Sequence, residues 1–225
     1  IGNEIVSILE KTPVKIDHYT SVEGKSPSTF VFSDPWYDNG NGERAFVNTI
    51  GAAWEMKKDN LPDTFFQGDI LLFGGTALVP KLHDDLLPLL KNGKARGAIN
   101  VVTTVYDFRN EKANPQQRWP LGNSDESYSY IDLLIVDFEE ALRLSGTDTL
   151  DDAVDFFSGK GVECCIVTCG AEPVWLFSRG GFWKEQEVTT LPVSRAARED
   201  FLGGASRDGK VGDTTGCGDN FVGGV

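Results

Sequence analysis

Short apolar runs alternate with amphipathic segments through the middle of the chain, and each run has the length of a buried strand. The predicted strands are residues 69–73, 98–102, 131–136 and 162–168. Residues 82–91 predict a helix that Pro88 either kinks or makes start late. Residues 138–144 predict a second helix, with Gly146 as its C-cap. Alternating strands and helices indicate an α/β fold with a mostly parallel sheet and right-handed crossovers.

Three further features complete the predicted layout. Thr149 is placed to cap a third helix, with Asp152 three residues later. Residues 28–33 and 44–49 are rich in β-forming residues and are joined by a polar, turn-rich tip, which predicts a hairpin at about 26–50 that stands off the main sheet. Two long polar stretches interrupt the pattern and predict loops, of which the first is long enough to suspect a functional role: residues 109–129 and 194–212.

Composition narrows the class of protein. The 225 residues carry a net charge of -13, which argues against binding to nucleic acid or to anionic lipid. A nucleotide site needs only a few local donors, so an acidic protein can still bind ATP. No apolar run is long enough to span a membrane, and no secretion signal is visible at Ile1. We expect one α/β domain over 1–225, with both ends incomplete.

The cysteines predict a reducing environment. Histidines occur only at positions 18 and 83, far in sequence from the cysteines, so a zinc site is disfavoured. The simpler interpretation is reduced thiols buried on a strand, which fits the cytoplasm. The four cysteines are Cys164, Cys165, Cys169 and Cys217.

The segment 211–221, Val-Gly-Asp-Thr-Thr-Gly-Cys-Gly-Asp-Asn-Phe, has the residue types needed for phosphoryl transfer. Gly216 and Gly218 permit positive φ and leave their amides accessible. A helix that starts at Asp219 would point those amides at an anion, beside a carboxylate able to accept a proton. The alternative is an ordinary glycine-rich turn in which Asp219 is only the N-cap.

The string Asp213-Thr-Thr-Gly-Cys-Gly-Asp219 closely resembles the C-terminal signature of the ribokinase-like (PfkB-type) carbohydrate kinases, D-T-x-G-A-G-D, with Cys217 in place of Ala. Residues 166–172 are similar to the family's nucleotide strand and turn, and 137–140 to its N-x-x-E motif with Asp for Asn. Residues 106–110 resemble a scrambled D-x-N-x-R stretch, and the hairpin resembles the family's β lid. The resemblance covers nearly the whole chain, but segments resembling the family's first strand and its last elements are absent from the sequence. It implies a three-layer α/β sandwich.

The resemblance implies roles for named residues. Asp219 would be the general base, and the amides of Gly216, Cys217 and Gly218 would bind the transferring phosphate. Residues implied to lie along the ATP phosphates are Asp137, Thr168, Gly170 and Gly218. As alternatives, Thr168 and Gly170 are simple strand-end residues.

The resemblance also implies metal sites. Glu140 would orient the water molecules of Mg²⁺, and Asp213 and Thr215 would contribute to a K⁺ site. As the alternative, Asp137 and Glu140 form only a solvated helix start. Arg109 is a candidate partner for an acidic or phosphorylated substrate, or an ordinary surface arginine.

The implied function is ATP-dependent phosphorylation of a hydroxyl group on a sugar or sugar-like molecule, with ATP, Mg²⁺ and K⁺ as cofactors. The alternatives are a nucleoside kinase of the same family and a non-catalytic remnant that binds nucleotide. The resemblance further implies a homodimer formed through the β lid.

Overall fold

A computed structural model describes most of the chain. The described residues are 2–17, 19, 21–34, 36–37, 43–196, 199 and 216–225. Most of the predicted loop at 194–212, together with Asp213 and Thr215, lies outside them.

The elements follow one another in the order that the apolar pattern predicts, with additions. The strands are β1 (Ser28–Asp34), β2 (Glu43–Thr49), β3 (Ile70–Gly74), β4 (Ile99–Thr103), β5 (Leu133–Asp137), β6 (Cys164–Cys169), β7 (Glu172–Ser178) and β8 (Gln186–Leu191). The α-helices are α1 (Gly2–Leu9), α2 (Pro80–Asp84), α3 (Leu86–Ala95), α4 (Phe108–Ala113), α5 (Phe138–Ser145), α6 (Leu150–Gly159) and α7 (Cys217–Gly224). Short 3₁₀ helices cover Gly51–Glu55, Lys58–Asn60, Asp63–Gln67, Thr76–Leu78 and Asp125–Tyr130.

Six strands form the main sheet in the order β3-β4-β5-β6-β7-β8. β3 to β6 pair in parallel, whereas β7 and β8 are added antiparallel at one side. The predicted α/β sandwich with a mostly parallel sheet is therefore confirmed. β7 and β8 were not predicted. β7 follows β6 directly, because Gly170, at φ +60, turns the chain back. β8 is polar and exposed, so its sequence lacks the apolar alternation typical of a strand.

The two faces of the sheet are covered differently. The larger core lies on the face that packs against α3, α5 and α6, and it includes Leu90, Val102, Leu134 and Phe157. On the opposite face a smaller apolar cluster contains Leu133, Ile135 and Cys164, against which Phe221 and Val222 of α7 pack. This contact places the start of α7 beside the middle strands.

The predicted helix at 82–91 is two helices. It divides at Asp85, and Pro88 lies in the first turn of α3, where a missing N–H costs no helical hydrogen bond. The late start is therefore the correct alternative. The predicted caps are confirmed, because Gly146 adopts φ +72 after α5 and the Thr149 hydroxyl accepts a hydrogen bond from the Asp152 amide at 3.2 Å.

The stretch 109–129 is more ordered than the predicted loop. It contains most of α4 and a 3₁₀ helix, and buried His83 holds its middle. His83 Nε2 lies 3.1 Å from the Gly122 amide nitrogen and 3.2 Å from the Pro120 carbonyl oxygen, and Nδ1 lies 2.9 Å from the Thr76 hydroxyl oxygen, so the ring is anchored at both nitrogens. Burial lowers the pKa of His83, which favours the neutral imidazole.

The predicted hairpin is confirmed as an antiparallel pair of β1 and β2. Every residue of β1 is exposed, including Phe30 and Phe32. Phe46 of β2 makes an edge contact with Phe108 of α4, with ring centroids 6.3 Å apart. The hairpin therefore stands off the main sheet, as the resemblance to a lid implies.

The cysteines are free thiols, but they differ in exposure. Cys164 and Cys165 are buried, Cys169 is half-buried, and Cys217 is exposed on α7. Burial raises the pKa of the Cys164 thiol to about 11. No helix in the described part of the chain is long and apolar enough to cross a membrane.

Candidate active site

The carboxyl ends of the middle strands and the start of α7 enclose a cleft of about 140 Å³. Strand pairing places Asp137 opposite Thr168, and Thr103 opposite Ile135, so the ends of β4, β5 and β6 meet at one edge. Ligands of open α/β sheets bind at this edge. The cleft is lined by Thr103, Thr104, Ile135, Val136, Asp137, Glu140, Thr168, Gly216, Gly218, Asp219, Phe221 and Val222.

Asp137 and Glu140 join the end of β5 to the start of α5 in a capping box. The Glu140 amide donates to Asp137 Oδ1 at 2.8 Å, and the Asp137 amide donates to Glu140 Oε2 at 3.3 Å. These reciprocal bonds satisfy two amides that a helix start leaves without partners. Asp137 occupies the position where the resembling motif has Asn, and either side chain can cap in this way.

Glu140 is buried, with 8% of its surface exposed. The Thr104 hydroxyl donates to Glu140 Oε2 at 2.5 Å. Burial, with a smaller contribution from the Asp137 charge, raises the pKa of Glu140 to about 7, against the lowering effect of the Thr104 bond. The alternative of a solvated helix start is therefore wrong for Glu140.

The start of α7 differs from the prediction in its details. The helix begins at Cys217 with Gly216 as N-cap at φ +82, so Asp219 lies in the first turn and is not the N-cap. Gly218 is inside the helix without a positive φ, so only Gly216 uses the left-handed conformation. The Gly216 carbonyl accepts from the Asn220 amide at 2.9 Å, which closes the first turn. The amides of that turn have no partner within the helix and are able to bind an anion.

Six of the residues singled out from the sequence come together in the cleft: Gly216, Gly218, Asp219, Asp137, Glu140 and Thr168. Cys217 and Gly170 are not among the lining residues. Asp213 and Thr215 lie outside the described residues, so their role in a K⁺ site stays a prediction.

Two site residues were missed by the sequence analysis. Thr103 and Thr104 follow a buried apolar run, and polar residues at the end of a strand are a usable signal. The sequence carries no signal for the hydrogen bond between Thr104 and Glu140, because this bond depends on how β4 and β5 are aligned. Arg109 is not among the residues that line the cleft. Its guanidinium donates to both carboxylate oxygens of Asp84, at 2.6 and 3.1 Å, so its charge is already paired within the protein.

The donor set of the cleft suits a hydrated Mg²⁺ ion. The side chains of Asp137, Glu140 and Asp219 supply hard carboxylate oxygens, and the lining includes no lysine, arginine or histidine. Among the described residues, no three acidic, histidine or cysteine side chains are close enough to enclose a metal by themselves. Mg²⁺ does not need such a cage, because it keeps several waters and binds through one or two carboxylates together with substrate phosphates.

A strand-edge cleft closed by a glycine-capped helix start is an arrangement suited to binding phosphate groups. The chain matches the model of the pfkB family carbohydrate kinases over residues 1–225 and belongs to that family.

Solved structures share its fold. A ribokinase from Thermotoga maritima is 23% identical, with a TM-score of 0.65, over 98% of this chain and 61% of its own. The adenosine kinase of Anopheles gambiae in complex with P1,P4-di(adenosine-5) tetraphosphate is 23% identical, with a TM-score of 0.62, over 91% of this chain and 56% of its own. A putative ribokinase II from E. coli in complex with ATP and Mg²⁺ is 17% identical, with a TM-score of 0.55, over 80% of this chain and 53% of its own. The chain thus spans between 53% and 61% of the length of these proteins.

Proposed function

We propose that this chain carries the phosphotransfer centre of an ATP-dependent kinase that phosphorylates a hydroxyl group of a sugar or sugar-like molecule. The observation that carries the proposal is one cleft that brings together Asp219 at the start of α7, Glu140 at the start of α5 and Thr168 near the end of β6. Membership of the pfkB family supports it.

In the proposed reaction, the acceptor hydroxyl gives its proton to the Asp219 carboxylate, and its oxygen attacks the terminal phosphorus of ATP. The bond between that phosphorus and the ADP oxygen breaks, and ADP leaves. The amides of Gly216, Cys217 and Gly218 stabilise the charge on the transferring group, because they point out of the helix start. Cys217 would contribute through its amide alone, because its side chain is exposed on α7.

On the nucleotide side, Thr168 and Gly170 lie at the end of β6 and the turn after it. We propose that they and Asp137 lie along the phosphates of ATP. A bound Mg²⁺ would neutralise phosphate charge, and Glu140 would hold its water molecules. Since the lining contains three acidic residues and no lysine, arginine or histidine, this neutralisation would favour the binding of a polyphosphate.

The comparisons include both ribokinase and adenosine kinase at the same identity, so they do not favour a sugar over a nucleoside. The test is ADP release by the full-length gene product with ATP and Mg²⁺, against a panel of sugars and nucleosides. Transfer to sugars supports the proposal, and transfer to nucleosides alone replaces its acceptor class. ATP binding without transfer to any acceptor would indicate a non-catalytic remnant. Repeating the assay with Na⁺ in place of K⁺ tests the predicted K⁺ site.

The lid leads to a separate proposal about assembly. The large apolar side chains that β1 exposes, Phe30 and Phe32, favour a contact between two copies through the hairpin. Sedimentation of the protein with Phe30→Ser and Phe32→Ser, compared with the unchanged protein, tests this homodimer. A dimer that persists in the double variant would exclude the hairpin as its main contact.

A further inference from the structure

The two hydrogen bonds received by the Glu140 carboxylate end on the same oxygen. Thr104 Oγ1 lies 2.5 Å from Oε2, and the Asp137 amide nitrogen lies 3.3 Å from it. Neither bond uses Oε1. Because Glu140 lines the cleft, Oε1 is the oxygen left for groups inside it.

We propose that Thr104 is a positioning residue that fixes the rotation of the Glu140 carboxylate, so that Oε2 is held by the protein and Oε1 alone faces the metal–nucleotide complex. The inference rests on the proposed function, since it concerns how the same cleft receives a hydrated divalent metal.

The backbone around Thr104 gives it a fixed position. It follows the last residue of β4, and its amide donates to the Ile135 carbonyl at 3.4 Å, so it is tied to the neighbouring strand β5. Its side chain is β-branched and therefore has few accessible rotamers.

The bond has the properties needed to orient a carboxylate. A hydroxyl that donates to an ionised acid makes a short and strong hydrogen bond. Partners that orient the ligands of a metal change metal affinity by roughly 10–100-fold when they are lost, and because Glu140 is proposed to act through water, we expect the lower end of this range for Thr104. A carboxylate without its partner rotates about its terminal bond, where the torsional preference is broad.

Thr104→Val removes the hydroxyl and keeps the branched shape, whereas Thr104→Ser keeps the hydroxyl. Thr190→Val is the matched control, because Thr190 is exposed on β8, outside the cleft. The measurement is the binding of Mn²⁺, used in place of Mg²⁺, to the full-length protein with ADP, followed by the electron paramagnetic resonance signal of free Mn²⁺. Melting temperatures show which variants are folded, and Thr104→Ala replaces Thr104→Val if the latter is not.

We expect Mn²⁺ to bind about tenfold more weakly to Thr104→Val, while Thr104→Ser and Thr190→Val stay within about threefold of the unchanged protein. In the activity assay, the Mg²⁺ concentration needed for half-maximal turnover should rise by a similar factor, with KM for the acceptor unchanged. A merely structural role for Thr104 would not weaken metal binding while leaving KM for the acceptor unchanged, and serine would not restore metal binding.

Other results overturn the inference. Equal Mn²⁺ affinity in Thr104→Val and the unchanged protein means that the bond does not orient Glu140. A raised acceptor KM with unchanged Mn²⁺ binding means that Thr104 contacts the acceptor instead. If Glu140→Gln binds Mn²⁺ normally while transfer persists, the inference fails and the kinase proposal stands. If the unchanged protein neither binds Mn²⁺ with ADP nor transfers phosphate, the proposed function fails as well.

Discussion

The two acids at opposite sides of the cleft are held in different ways. Glu140 lies on a helix packed on the sheet, is buried, and receives bonds from Thr104 and Asp137. Asp219 lies on α7, a helix without a fully buried residue, which begins at a glycine in the left-handed conformation. One acid is therefore fixed by packing and hydrogen bonds, and the other by the path of the backbone. The acid proposed to react is the one that keeps contact with water.

The strongest test of this comparison is Asp219→Asn, which keeps the size of the side chain but removes the proton acceptor. We expect kcat of the full-length protein to fall by about 10²–10⁴-fold, or roughly 3–5 kcal/mol, with ATP binding retained. Asp155→Asn, the same change on an exposed face of α6, is the control and should leave kcat unchanged. A kcat near that of the unchanged protein would show that Asp219 only stabilises the helix start.

The buried acid is tested by the dependence of stability on pH. The pKa of Glu140 is about 7 in the folded protein and ordinarily 4.5. Between these values the unfolded chain releases the proton while the folded chain keeps it, so the free energy of unfolding falls as pH rises. A pKa difference of this size corresponds to roughly 3 kcal/mol, present below pH 4.5 and lost above pH 7.

Glu140→Gln removes this dependence, because glutamine does not ionise. Relative to the unchanged protein, we expect it to be about 3 kcal/mol more stable at pH 8 than at pH 4.5, measured by urea unfolding at both values. Glu187→Gln on the exposed strand β8 is the control. Parallel pH profiles for Glu140→Gln and the unchanged protein would mean that Glu140 reaches water freely.

The backbone side of the comparison is tested at Gly216. An added Cβ would meet only Asp219 Oδ2 at 3.9 Å, so the cost of Gly216→Ala comes from φ +82 and not from a clash. Strain at such a position costs about 1–2 kcal/mol, and we expect a loss of roughly 5–30-fold in kcat. Gly223→Ala, in the same helix with open space around it, should be tolerated. Equal kinetics in the two variants would argue against a required left-handed start.

The smallest effect is expected at Cys217. Its amide alone is proposed to act and its side chain is exposed, so Cys217→Ala should keep kcat within about tenfold, or roughly 1.4 kcal/mol. A larger loss would assign the thiol a chemical role. The assay should include a reducing agent, because the thiol is exposed.

The parts of the fold with strong apolar periodicity were predictable. The four parallel strands differ from their predicted bounds by one or two residues, and the Gly146 and Thr149 caps lie where they were expected. The antiparallel pair β7 and β8 was missed, because a sharp turn and an exposed strand leave no apolar period. α4 was missed because its six residues are mostly polar.

The site was predictable where one short segment carries the chemistry. Gly216 and Asp219 were identified from the string that contains them, and Asp137 and Thr168 from the resemblance of 137–140 and 166–172 to family motifs. The network around Glu140 was not predictable, because its burial and its bond to Thr104 depend on contacts between residues 36 positions apart. The start of α7 at Cys217 was missed for a local reason, since a glycine N-cap offers no side-chain signal.

The order of the strands has a consequence for how the protein is made. In the main sheet every strand pairs with the one that precedes or follows it in the chain, from β3 to β8. Within the described sheet, each strand can therefore pair with the strand synthesised just before it as the chain leaves the ribosome. The parallel pairs still join residues far apart in sequence, such as Ile70 with Ile99, and parallel pairing is intrinsically slow, so pairing between successive strands limits how long bare strand edges are open to aggregation.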